Sequence, residues 1–102
     1  MNKQENDVIK MENLEISLQK HELKLNGAAL EIPPKELELL YFLISNANNV
    51  FSRETLLREI WGFDPFMLDE HIKRLGVKLD GVSDKWELKP VWNEGYKFEC
   101  KI

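Results

Sequence analysis

Residues 52–79 read SRETLLREIWGFDPFMLDEHIKRLGVKL, and this pattern decides the fold. Apolar side chains recur every three or four positions in two runs, which predicts two amphipathic helices. Ser52 is a favourable N-cap for the first helix, and Asp64, followed by proline, is a favourable start for a second helix over 65–79. Because little more than a Gly-Phe pair separates the two helices, we predict a tight helix–turn–helix.

The second helix of this motif has a narrow apolar face. At 100° per residue its large aliphatic side chains fall within one arc, which consists of Leu68, Ile72, Leu75 and Leu79. Glu70 and Val77 point directly away from this arc. Lys73 and Arg74 flank them, and Lys78 lies nearer the Arg74 edge. We therefore expect the arc to pack into a core and the opposite face to meet solvent or a partner.

The residues before the motif predict a sheet and a central helix. Over 14–32 apolar and polar residues alternate, and Asn26-Gly27 is a strong hairpin signal, so we expect three short antiparallel strands. Pro33-Pro34 ends the sheet and opens a helix. The apolar residues of that helix occupy more than one face, so it should be central to the core.

The C-terminal residues predict a β-hairpin. Two alternating apolar segments indicate its strands, namely Trp86, Leu88 and Val91, then Tyr96, Phe98 and Cys100. The complete order predicts an α+β fold, a winged helix-turn-helix with an N-terminal antiparallel sheet, three helices and a C-terminal β-hairpin wing. Residues 1–11 are mostly polar and are predicted to be a flexible leader or linker remnant before a domain over 12–102.

Composition limits the class of protein. A chain of 102 residues, 43% hydrophobic and 31% charged, is typical of one globular domain. Its net charge of -4 argues against a strongly basic nucleic-acid module. The single cysteine and two histidines give little support to a disulfide, a zinc site or a catalytic triad. We expect a cytoplasmic protein with no membrane segment, no cofactor, no metal and no catalysis.

Four strings carry a resemblance to a known family. They are IPPKELELL at 32–40, VFSRETLL at 50–57 with IWG at 60–62, DEHIKRL at 69–75 and EGYKF at 94–98. In this order and spacing they resemble the C-terminal effector domain of OmpR/PhoB-type response regulators. The resemblance implies that the third helix enters the DNA major groove and that the wing touches the adjacent backbone or minor groove. It also implies paired protomers on DNA, an upstream receiver domain in the full-length protein, and contact between the loop before the third helix and RNA polymerase.

The DNA-facing positions depart from the pattern of this family. The family usually has Leu-Arg-Lys-Lys-Leu late in the third helix, where this chain has LGVKL at 75–79. Glu70 stands where the family often has valine, and VWNE at 91–94 replaces the Arg-Gly that is usual in the wing. A carboxylate facing DNA is repelled by phosphates unless it accepts a hydrogen bond from a cytosine amino group. We therefore expect weak DNA binding.

Lys73 and Arg74 are the strongest predicted DNA contacts, with Lys78 beside them. The alternative is a solvated helix face, because Asp69 and Glu70 stand four residues before Lys73 and Arg74 and can pair with them. The resemblance favours the first interpretation.

The other candidates lie around this helix. His71 can hydrogen-bond a phosphate or the neighbouring loop, although we favour a packed position at the helix boundary. Trp61 is expected mainly in the core, with its indole edge available to a phosphate. Arg53 and Lys35 lie in the first turns of two helices, where backbone amides favour phosphate binding.

Trp92 and Asn93 occupy the tip of the wing. The indole of Trp92 can wedge into a DNA groove, mark a protein interface, or pack on the hairpin itself. The sequence thus predicts the DNA-binding output domain of a response regulator. The alternative is a degenerate winged helix that acts mainly in protein interaction, through dimerisation or RNA polymerase contact.

Overall fold

The computed structural model describes residues 7–60 and 64–101 and has the predicted order of sheet, helices and hairpin. Its elements are β1 (Ile9–Met11), β2 (Leu14–Ser17), β3 (Glu22–Leu25), β4 (Ala28–Leu30), α1 (Pro34–Ser45), α2 (Arg53–Glu59), a 3-10 turn (Pro65–Met67), α3 (Leu68–Leu79), β5 (Trp86–Val91) and β6 (Gly95–Cys100). The predicted winged helix-turn-helix is therefore confirmed.

The N-terminal sheet is antiparallel, with strand order β1-β2-β3-β4. It has one strand more than predicted, because β1 pairs with β2 and places Ile9 opposite Ile16. The side chains of Ile9 and Met11 pack partly buried against the core, which explains why this polar stretch is ordered. The folded domain therefore begins before residue 12, and the prediction that residues 1–11 form a leader is wrong for β1.

Helix α1 is central to the core, as its broad apolar surface predicted. Its buried residues meet the four residues of the apolar arc of α3, all of which are less than a tenth exposed. The rings of Trp86 and Phe98 stack with their centroids 5.4 Å apart and extend this core to the wing. The amphipathic pattern of α3 thus places its inner face on α1 and leaves its outer face to solvent.

The helix–turn–helix begins with the predicted caps. The Ser52 hydroxyl accepts a hydrogen bond from the amide of Thr55 at 3.1 Å, and the Asp64 carboxylate accepts one from the amide of Phe66 at 3.0 Å. The α-helical part of α3 starts at Leu68 rather than at Pro65, because the first turn after Asp64 is a 3-10 turn. The connection over residues 61–63 lies outside the described residues.

The wing is joined to the segment between α1 and α2. Phe51 and Tyr96 form an antiparallel bridge, and each backbone amide donates to the carbonyl of the other residue at 2.9 Å. Gly95 approaches this bridge with φ of 138°, and a Cβ at that position would collide with the backbone carbonyl of Phe51. Only glycine therefore allows the hairpin to lie against this segment.

Substitution of Gly95 by alanine is expected to reduce the free energy of unfolding by about 1–3 kcal/mol. The added Cβ would collide with the backbone carbonyl of Phe51, and alanine is strained at this φ. The matched control is Gly76→Ala. Gly76 lies inside α3 with no atom within 4 Å of an added Cβ, so this change should stabilise the domain by about 0.5–1 kcal/mol. Urea denaturation of both variants measures the two effects, and equal stabilities would contradict the prediction.

Candidate nucleic-acid interface

The outer face of α3 is open, as predicted. Val77 is 74% exposed, and Glu70 and Lys73 are also exposed. Lys73 has no ion-pair partner among residues 7–60 and 64–101. The alternative pair between Asp69 and Lys73 does not form, because Asp69 is bound by Arg53 and Tyr96 instead. This face therefore carries one cation that is available to an incoming phosphate.

A buried carboxylate lies beneath the edge of α3. Glu36, in the first turn of α1, has a fully buried side chain. Its Oε2 lies 2.9 Å from Nδ1 of His71 and accepts a hydrogen bond from Nη1 of Arg74 at 3.3 Å. Its Oε1 accepts a hydrogen bond from Nζ of Lys78 at 3.0 Å. Three side chains of α3 thus converge on one carboxylate of α1.

The environment of Glu36 keeps it ionised. Burial raises the pKa of its carboxyl group, but the hydrogen bonds from His71, Lys78 and Arg74 outweigh burial, so the pKa lies below its ordinary value of 4.5. A buried charge without these partners would be costly. These hydrogen bonds therefore join α1 to α3. The Glu36 cluster, as it is called below, consists of Glu36, His71, Arg74 and Lys78.

This cluster changes the role of three predicted DNA contacts. His71 is packed against Glu36, with a side chain 14% exposed, which is the packed position that we favoured for it. Lys78 is 24% exposed and is directed to Glu36. Arg74 is 44% exposed and lies between Glu36 and Glu70, whose Oε2 is 3.7 Å from its Nη2. The predicted pair of Glu70 with Arg74 is thus present, and Arg74 keeps only part of its guanidinium for a ligand.

A second polar junction holds the start of α3. The Nη2 atom of Arg53 lies 3.1 Å from Oδ2 of Asp69, and the hydroxyl of Tyr96 donates to Oδ1 at 2.6 Å. The hydrogen bonds from Tyr96 and Arg53 lower the pKa of Asp69. Burial and the hydrogen bond to Asp69 raise the pKa of Tyr96 to about 12. Arg53, predicted as a phosphate contact, is therefore largely engaged in joining α2, α3 and the wing.

The wing presents an exposed aromatic residue. Trp92 is 87% exposed. The turn at the wing tip is closed by a hydrogen bond of 2.9 Å from the amide of Glu94 to the carbonyl of Val91. Within this turn Asn93 adopts φ of 64°. Asn93 tolerates this conformation better than most residues. Trp92 and Arg53 line one shallow groove between the wing and the start of α2. The third predicted possibility for Trp92, packing on its own hairpin, is wrong.

Two further candidates lie outside this arrangement. Lys35 is in the first turn of α1, with Nζ 3.4 Å from Oε1 of Glu38. Trp61 lies outside the described residues. Glu36, the central residue of this arrangement, is not among the site residues predicted from the sequence. Two features of the sequence could have indicated the role of Glu36. It is a glutamate within the leucine-rich face of α1, and α3 carries basic residues spaced by three and four positions that can face it.

The described residues contain no group of three His, Cys, Asp or Glu side chains suited to a metal ion. No helix within residues 7–60 and 64–101 has the length and apolarity needed to cross a bilayer.

An open α3 beside a hairpin wing defines a winged-helix domain of the kind that presents one helix to a partner. A family model described as "Transcriptional regulatory protein, C terminal" matches residues 27–98. The chain belongs to this family, the OmpR/PhoB-type DNA-binding output domains of transcriptional regulators, as its motifs predicted. The family is one of transcription regulators and is not a class of enzymes.

The relatives in sequence are longer regulators. The chain is 45% identical over 98 residues to the uncharacterized transcriptional regulatory protein YclJ of Bacillus subtilis. This match covers 91% of this chain and 43% of YclJ. It is 40% identical over 101 residues to the transcriptional regulatory protein SrrA of Staphylococcus aureus, covering 93% of this chain and 42% of that protein. The chain thus spans less than half the length of these curated relatives.

Solved structures share the fold over most of the chain. The response regulator DrrB of Thermotoga maritima, an OmpR/PhoB homologue, has 32% identity and a TM-score of 0.76, covering 91% of this chain and 44% of its own. The DNA-binding domain of RstA from Klebsiella pneumoniae, solved in complex with the RstA box, has 26% identity and a TM-score of 0.78. The match covers 92% of this chain and 98% of the RstA chain.

Replacement of Glu36 by glutamine is expected to reduce the free energy of unfolding at neutral pH by about 3 kcal/mol. This value is at the low end for breaking a buried ion pair, since Arg74 and Lys78 reach solvent. Because the folded-state pKa of Glu36 is lowered, its contribution is present above pH 4.5 and is lost as the pH falls through the folded-state value.

Denaturant unfolding from neutral pH down to about pH 3 tests this sign, since the difference between the native chain and E36Q should shrink on acidification. Glu38→Gln is the matched control, because Glu38 lies on the same helix with a side chain 40% exposed and pairs with Lys35. A constant difference across this range would show that the Glu36 charge is not responsible.

Proposed function

We propose that this domain binds double-stranded DNA with α3 in the major groove and the wing over 91–95 on the adjacent backbone or minor groove. The observation that carries the proposal is the open outer face of α3, on a helix whose inner face is locked to α1. The DNA-binding domain of RstA, which has the same fold, was solved in complex with the RstA box, and this supports DNA binding by this fold. No catalytic step is part of the proposal.

Lys73 is the main phosphate contact in this proposal. It is exposed on α3 and has no ion-pair partner in the described part of the chain. Arg74 contributes the N–H groups that Glu36 and Glu70 leave unused, and Lys78 contributes less because it is directed to Glu36. Each neutralised phosphate adds about 0.9 to the slope of log affinity against log salt. With so few available cations, binding is weak and has a shallow salt dependence.

Replacement of Lys73 by alanine should weaken binding to duplexes of any sequence and reduce the salt slope by about 0.9, because one phosphate contact is lost. Fluorescence anisotropy with a labelled duplex at several salt concentrations measures both quantities. Lys20→Ala, in the exposed turn between β2 and β3, is the matched control and should leave the slope unchanged.

If the native chain fails to bind random duplex DNA at low salt, even at high micromolar concentration, DNA binding by this domain is contradicted. If it binds and K73A binds with the same slope, α3 is not the DNA-facing helix.

A second candidate function, protein interaction, is favoured by two exposed aromatic side chains. Phe66 is 92% exposed in the turn before α3, and Trp92 is 87% exposed at the wing tip. Large exposed aromatics commonly mark interfaces with proteins as well as with DNA. Dimerisation on DNA, contact with RNA polymerase, and an upstream receiver domain in the longer protein belong to this wider proposal, as does a cytoplasmic location.

Replacement of Trp92 by alanine separates the two candidates. If the wing contacts DNA, the variant should bind duplex DNA several-fold more weakly and sediment like the native chain when DNA is absent. If Trp92 is a protein interface, W92A should keep its DNA affinity and lose self-association in sedimentation velocity runs. Because the side chain is exposed, the variant should unfold at the same temperature as the native chain.

A further inference from the structure

The side chains of α3 fall into sets with different partners. The four apolar residues of its inner arc are buried in the core. Three polar side chains belong to the Glu36 cluster, and Asp69 is held by Arg53 and Tyr96. What remains on the outer face is a line formed by Glu70, Lys73 and Val77, which are spaced by three and four residues.

Glu70 is an acceptor with unused capacity. Its side chain is 51% exposed, and Arg74 approaches its Oε2 only to 3.7 Å, which is beyond hydrogen-bonding distance. An ionised carboxylate accepts hydrogen bonds and donates none. In the major groove cytosine presents an amino donor, whereas guanine presents two acceptors and thymine presents a carbonyl acceptor and a methyl group. Adenine also presents an amino donor, but its N7 acceptor lies beside that donor and repels a carboxylate. Glu70 therefore favours cytosine over the other three bases.

Val77 is an apolar side chain that the fold leaves uncovered. It is 74% exposed, and its neighbour Gly76 has no side chain that would shield it. The methyl group of thymine is the apolar feature of the major groove, and small aliphatic side chains contact it there. Val77 lies seven residues after Glu70, about 10.5 Å along the helix axis. Because a helix in the major groove runs obliquely to the DNA axis, this distance corresponds to about two to three base-pair steps.

We propose that Glu70 and Val77 determine the sequence specificity of this domain, Glu70 by accepting a hydrogen bond from the amino group of a cytosine and Val77 by packing on a thymine methyl group. The two bases lie about two to three base pairs apart. Lys73, between them, supplies attraction to the backbone without selecting a sequence. The inference rests on the proposed function, because it names the DNA that the same helix selects.

The test starts from a library of randomised duplexes that is enriched on the native 102-residue chain and on variants. The native chain should enrich a cytosine at one position and a thymine about two to three base pairs away. E70Q should change the first preference from cytosine to adenine, because glutamine pairs with the adenine edge, and should leave the thymine unchanged. Glu31→Gln, an exposed carboxylate between β4 and α1, is the matched control and should enrich the native site.

A second measurement isolates the methyl contact. Replacement of the enriched thymine by uracil removes one methyl group, and this should weaken binding of the native chain several-fold. V77A should bind the two duplexes equally. Both measurements compare DNA sequences on one protein, so any general loss of affinity cancels. Because Glu70 and Val77 are exposed, both variants should keep the native unfolding temperature.

The possible failures are distinct. If E70Q enriches the same sequence as the native chain, Glu70 does not read a base. If the native chain does not distinguish thymine from uracil, Val77 does not read a methyl group. If the native chain binds random DNA but enriches no sequence, the domain binds DNA without this readout. If it binds no duplex at low salt, the proposed function itself fails, and this inference fails with it.

Discussion

The orientation of α3 depends on the carboxylate of Glu36. The apolar arc of α3 packs closely on α1, but its leucine side chains contribute no directional bonds. Hydrogen bonds to His71, Arg74 and Lys78 add direction, since they connect one buried acceptor to three positions along α3. The same bonds divert two cations from the surface that faces a ligand. The hydrogen bonds that hold α3 in position therefore weaken the attraction of this domain for phosphate groups.

Most of the fold was predictable from periodicity. Alternation identified β2, β3 and the wing, and the helical spacing of leucine and isoleucine identified α1 and the inner face of α3. Strand β1 was missed because its neighbourhood is polar and its pairing with β2 is a contact between separate segments. The bridge between Phe51 and Tyr96 was missed for the same reason, since no local pattern reports a contact across forty-five positions of the chain.

The site was predictable in part. The outward direction of Glu70 and Val77 followed from the helical wheel, because it depends only on spacing within one helix. The partners of Arg53, Arg74 and Lys78 did not follow from this spacing. Arg53 and Lys78 pair with carboxylates on other helices. Arg74 pairs with Glu36 on another helix as well as with its helical neighbour Glu70. Charge patterns along a helix predict i,i+4 pairs, whereas tertiary packing decides which carboxylate is nearer.

The junction at Asp69 has a mechanical consequence. One carboxylate joins α2 through Arg53 and the wing through Tyr96 while it belongs to α3, so movement of one of these elements against another breaks a bond to Asp69. Adjusting their arrangement to a duplex that fits poorly therefore costs energy. Part of the energy of a mismatch in shape then falls on the DNA, whose stiffness varies with base sequence. Bendable steps beneath the wing would thus favour binding even where no side chain touches a base.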